Sequence, residues 1–179
     1  MKRGLTWGIL GLTSVMALNQ TAPGADRDKP EKLDHQEVAF LNERAQDDVM
    51  MWKLGEYAAE HAATDRVKHL GKAIIEERRT DLRDIQKIAQ DHNEDIKIPD
   101  SLNVKQKYRF DQLTRQAGQS FDRDYTKDLV RDYDAAIPQL KRERDQAGHV
   151  DVREYAGRNV KMFEDHLKET HDAEKEVWK

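Results

Sequence analysis

DHQEVAFLNERAQDDVMMWKLGEYAAEHAA, residues 34–63, is the stretch that decides the fold. Leu41, Ala45, Val49 and Trp52 form one apolar stripe, and Met51, Leu54, Gly55, Ala58 and Ala62 form the adjoining one. Both step by three or four residues, the spacing that puts side chains on one face of an α-helix. Asp34 followed by Glu37 has the form of a capping box, in which each residue's carboxylate accepts the other's backbone N–H. The stripe places Trp52 in the core. A helix of this length, apolar on one side and charged on the other, must bury its stripe against other helices.

Working outward, Thr64 or Asp65 can cap a second helix. Its stripe is Val67, Leu70, Gly71 and Ile74, then Leu82, Ile85, Ile88 and Ala89. Arg78 interrupts this stripe, four residues after Ile74 and four before Leu82. Residues 92–100 read as a loop closed by Ile98-Pro99-Asp100, and a short helix over roughly Val104 to Gln116 stops at Gly118. A third long helix begins near Ser120 and carries Phe121, Tyr125, Leu129, Tyr133, Ala136 and Leu140. Pro138 should kink or interrupt it, having no N–H to give the preceding turn. After Gly148, a second capping box of Asp151 and Glu154 opens the last helix, with Val152, Tyr155, Ala156, Val160, Phe163, Leu167, Ala173 and Val177 on its stripe. The expected fold is all-α: an antiparallel four-helix bundle, ferritin-like, with a long crossover carrying a short extra helix.

Composition narrows the function. Charged residues make up 37% of the 179-residue chain and aromatics 7%, so the core must come from Leu, Ile, Val, Ala and Met. With no cysteine, disulfides, thiolate metal sites and cysteine nucleophiles are excluded. Lys2 and Arg3 precede a charge-free run from Leu5 to Leu18, and small residues follow through Ala25. That order is a secretory signal peptide. The run is short for a membrane span, which needs about 20 residues, although an uncleaved anchor is the competing reading. The organisation expected is a leader over residues 1–25, a polar linker over 26–33 and a bundle domain over 34–179. The destination is then periplasmic or secreted, with membrane contact only through an uncleaved leader. Without Lys2 and Arg3 the formal net charge falls from -4 to -6. A net negative domain without a segregated basic patch excludes nucleic acid as a partner.

Phe40-Leu41, Leu54-Gly55-Glu56-Tyr57-Ala58, Val67-Lys68, Phe121-Asp122-Arg123-Asp124-Tyr125 and Asp165-His166-Leu167 resemble the bacterial exported family called domain of unknown function 4142. The resemblance runs over about residues 34 to 173. It implies a ferritin-like four-helix fold and an exported location, and no established activity.

The chemistry follows from the histidines. A ferritin-like di-iron centre needs Glu-x-x-His on two helices. Three residues before His35, His61, His69, His92, His149, His166 and His171 stand Lys32, Ala58, Arg66, Ala89, Gln146, Phe163 and Lys168, none of them Glu. The resemblance implies a different polar set: an acid in the first helix, Asp-His in the second, and one histidine in each of the last two. Met51, Glu77-Arg78, Tyr133 and His166 occupy those places, so only His166 matches. His61, Asp65 and His69 could hold a metal on one continuous helix, but a break at Thr64 or Asp65 would part them. No cofactor and no catalytic residue are expected. Arg78, Tyr133 and His166 are expected to meet as a buried polar cluster, with Glu56, Asp81, Asp132 or Asp165 reaching the guanidinium. Otherwise Arg78 snorkels to solvent along its stem. The functional expectation is an exported non-enzymatic bundle, stress-associated or an interaction module, binding a protein partner or itself. The alternative is a metal-binding or redox protein using a non-standard His/carboxylate set, with His166, His61, His69 and Asp65 as its candidates.

Overall fold

The computed structural model describes residues 31–178. Five helices occupy them: α1 His35–His61, α2 Asp65–Asp91, α3 Val104–Thr114, α4 Gly118–Gln146 and α5 Val150–Val177. The leader and most of the linker lie outside the described residues.

Local chemistry sets the boundaries. Asp34 caps α1 with the full capping box to Glu37, and the Thr64 hydroxyl caps α2. Asn103 and Gln106 form a further capping box on α3. Three residues link α1 to α2 and three link α4 to α5, too few for anything but antiparallel hairpins. Contacts between helix ends orient one hairpin on the other. The backbone N–H groups of Ala63 and Thr64 donate to Asp122 at 2.9 and 2.8 Å, so α4 starts where α1 ends. His149 N donates to Glu37 at 2.9 Å, so α5 starts where α1 starts. Thus α1 and α5 point one way, and α2 and α4 the other.

The crossover must therefore climb the whole bundle, and α3 does so along the α1–α4 seam. Gln106 meets Gln46 of α1 at 2.6 Å, Arg109 clamps Asp128 and Asp132 of α4, and the Tyr57 hydroxyl donates to Thr114 O at 2.9 Å. Gly55 and Gly71 let α1 and α2 approach closely. A Cβ on either would lie 2.9 or 2.8 Å from the other's carbonyl oxygen.

Four sequence expectations need correction. α5 starts at Val150 with His149 as N-cap and no capping box, because the Asp151 carboxylate is turned to Val152 N and His92. α4 starts at Gly118, whose φ of 62° lies in the left-handed region that favours glycine. α4 also continues through Pro138. Both Pro138 and Asp134, whose carbonyl loses its partner to the proline, are exposed, so water can satisfy that oxygen. Trp52 is half-buried, not buried. Its ring reaches the α1–α2 surface, where its N–H donates to Glu56 and Arg79 covers its face at 5.2 Å.

Candidate functional site

Arg78 has 0% of its surface exposed. It does not snorkel. Its stripe position on α2 points it into the bundle, and its Nη1 lies 3.0 Å from both Asp48 of α1 and Asp81 of α2. Asp81 was among the expected acids. Glu56, Asp132 and Asp165 are engaged elsewhere, by Trp52 and Arg79, by Arg109, and by Lys161.

Asp48 and a second cation, Arg44, were missed by the sequence reading. Both are buried, and Arg44 Nη2 lies 3.3 Å from Asp48. Phe40, Arg44, Asp48, Met51, Gly55 and Ala58 keep core spacing along α1. The signal was therefore present, as two charges within an apolar periodicity. Asp48 stands one turn before Met51. Phe163 of α5 carries both guanidiniums against its ring, at 4.5 Å from Arg78 and 5.3 Å from Arg44.

Two arginines and two aspartates make a quartet that is neutral when all are ionised, which is what burial requires. Burial pushes Asp81 up to about 7, against the downward pull of Arg78, and the Asp48 charge adds to the rise. Burial also pulls on the Arg78 guanidinium, but Asp48 and Asp81 outweigh it and hold its affinity for the proton above that of an ordinary arginine. Asn159 of α5 donates to Asp81 at 3.2 Å and to Tyr155 O at 3.1 Å.

Tyr133 and His166 meet beside this quartet. The Tyr133 hydroxyl lies 3.1 Å from His166 Nδ1, and His166 Nε2 lies 2.8 Å from Glu77 Oε2. The same Glu77 oxygen is 4.0 Å from Arg78 Nη2. Glu77 therefore joins Arg78 to the histidine, and the three residues singled out from sequence form one chain through it. Burial holds the Tyr133 phenol above its ordinary value, despite Arg78. A groove of about 320 Å³ beside Glu77, Met162 and His166 brings solvent to the outer end of the chain.

His61, Asp65 and His69 are exposed, and the α1–α2 turn separates His61 from the other two. Among the described residues, no group of three or more His, Cys, Asp and Glu is placed to hold a metal ion. No helix among them is long and apolar enough to cross a membrane.

A family model described as "Domain of unknown function (DUF4142)" matches residues 22–173. Neither the curated proteins nor the solved structures contain a match to the chain.

Proposed function

The chain belongs to the DUF4142 family of domains of unknown function, and from that premise we propose that it is an exported, non-enzymatic helical-bundle module of the bacterial envelope. Its role is structural or adaptive, as a stress-associated protein or one that engages a protein partner or a second copy of itself. One observation carries this reading. The centre of the bundle, where four-helix proteins place cofactors, is closed by Arg44 and Arg78 against Asp48 and Asp81. Arginine has no lone pair to offer a metal, and two fixed guanidinium charges repel one. The connectivity, with one long crossover between two hairpins, supports the ferritin-like comparison. The leader motivates export.

Elemental analysis of the purified mature domain, after exposure to iron, zinc and copper, tests the central claim. The expected result is no stoichiometric metal. Tight one-to-one binding lost in His166→Ala would overturn it and favour the metal or redox alternative. Mass spectrometry of the protein from the native host tests export. The expected N-terminus falls between residues 18 and 27; a full-length chain that needs detergent contradicts cleavage.

A further inference from the structure

The described residues include five tyrosines, and their hydroxyls have very different partners. Tyr125 and Tyr155 are fully buried, with hydroxyls that meet no hydrogen-bond partner. Tyr57 gives its proton to a backbone carbonyl, which is no base. Tyr108 is 68% exposed. Tyr133 alone among them combines full burial with a hydroxyl on an imidazole nitrogen.

The arrangement around that imidazole is directional. A carboxylate oxygen of Glu77 sits 2.8 Å from Nε2, close enough to pair in charge though not aligned as a hydrogen bond; its negative charge favours the proton on that nitrogen and leaves Nδ1 as the acceptor facing the phenol. Glu77 lies between His166 and Arg78. Phenol, imidazole and carboxylate thus run in order from the core to the groove. Burial raises the phenol's pKa, so Tyr133 does not act as a phenolate. Its hydroxyl is also enclosed, so it is no nucleophile for an external substrate. What remains open to a buried phenol on a base is the loss of an electron, which passes through packed protein, together with a proton, which moves only across a hydrogen bond.

We propose that Tyr133 is a redox-active tyrosine, oxidised by one electron with His166 as its proton acceptor. The electron goes to an outer-sphere one-electron oxidant at the surface, of the class of oxygen- or sulfur-centred radicals, which is reduced by one electron. The Tyr133 O–H bond breaks and an Nδ1–H bond forms on His166. The products are a neutral tyrosyl radical and an imidazolium beside Glu77. A one-electron reductant reverses the step, and the proton returns to the phenol. Phe163, packed edge-on at 5.2 Å, helps wall the radical from solvent. The step needs no bound metal, so it extends the proposed function to quenching of oxidising radicals without depending on it.

The test is flash oxidation of the full chain by photogenerated ruthenium(III) tris-bipyridine, in a Tyr108→Phe background that removes the exposed phenol. Electron paramagnetic resonance then reads the trapped radical. The expected result is a long-lived tyrosyl signal that forms more slowly in deuterium oxide. It should be lost in Tyr133→Phe, retained in Tyr155→Phe, and lost in His166→Gln, which keeps a polar side chain but supplies no base. Circular dichroism establishes that each variant is folded. If His166→Gln does not fold, Glu77→Gln replaces it and should lower the radical yield. A signal that survives Tyr133→Phe, that is indifferent to the loss of the base in a folded variant, or that never forms in the parent chain overturns the proposal.

Discussion

Arg78→Met asks the central quartet to do without its shared cation. The guanidinium lies 3.0 Å from two carboxylates, and removing one partner of a buried pair costs about 3–5 kcal/mol. Two features of this site reduce that figure. Asp48 keeps Arg44 at 3.3 Å, and Asp81, already at about 7 with Arg78 present, can take up a proton. The expected loss is therefore about 3 kcal/mol at pH 8 and about 1–2 kcal/mol at pH 5.5. The sign follows from the direction of the Asp81 shift. Its pKa is raised on folding, so its contribution is fully present below the unfolded value of about 3.9 and is lost as pH rises through the folded value. Without Arg78 that folded value moves higher still, so the variant is worst in alkali. The double variant Arg78→Met/Asp81→Leu removes the stranded acid and leaves Arg44 with Asp48. It should recover most of the loss, because apolar replacement of a buried pair is often neutral. Urea unfolding followed by circular dichroism at the two pH values measures all of this. A loss below about 1 kcal/mol at pH 8 would show that the guanidinium is solvated and the quartet is not closed.

The other predictions concern the ends and seams of the bundle. Asp122→Ala removes both hydrogen bonds that hold the α1–α2 turn to α4 and should cost about 2–4 kcal/mol; unchanged denaturant midpoints would mean water holds that turn equally well. Gly71→Ala drives a Cβ to 2.8 Å from Gly55 O, so an overpacking cost of about 1–3 kcal/mol should exceed the roughly 1 kcal/mol that alanine gains in helix propensity. A stabilised variant would place the helices further apart than described. His92 Nδ1 faces Glu31 O and Nε2 faces Asp151, two partners that can only accept, so both bonds are made only when the ring is protonated. Burial opposes its charge, but those two bonds raise its pKa. Its stabilising contribution is therefore complete below the unfolded value of about 6.5 and disappears as pH rises through the folded value. Thermal melts from pH 5.5 to 8.5 should show a decline that is shallower in His92→Leu, the part that remains coming from Asp81; parallel curves for the two proteins would refute it.

Helix number, order and most boundaries were legible because apolar spacing and capping residues are local signals. Arg78 was legible for the same reason, as a charge at a core position. Its partner Asp48 was harder to see. It stands beside Asp47 in a polar run, and only the position of α2 across the seam decides which of two adjacent aspartates turns inward. The misplaced Trp52 reflects size. Its stripe position is sound, but the ring's edge finds solvent, Glu56 and Arg79. Glu77 had no sequence signal of its own, since its role exists only where α2 and α5 bring Arg78 and His166 to either side of it.

The four charges of the quartet all belong to α1 and α2, and none to α4 or α5. The first hairpin is thus electrically complete before the second arrives, and docking the second covers a balanced surface. Neither half has to wait for the other to neutralise it during synthesis, and each closes over a connection short enough to form early. Cutting the chain within the crossover, between residues 93 and 102, would leave two self-contained pieces with a large shared apolar face. Such fragments should find each other in solution and rebuild the bundle, with α3 carried on the second piece and docking again on α1 through Gln106 and Tyr57.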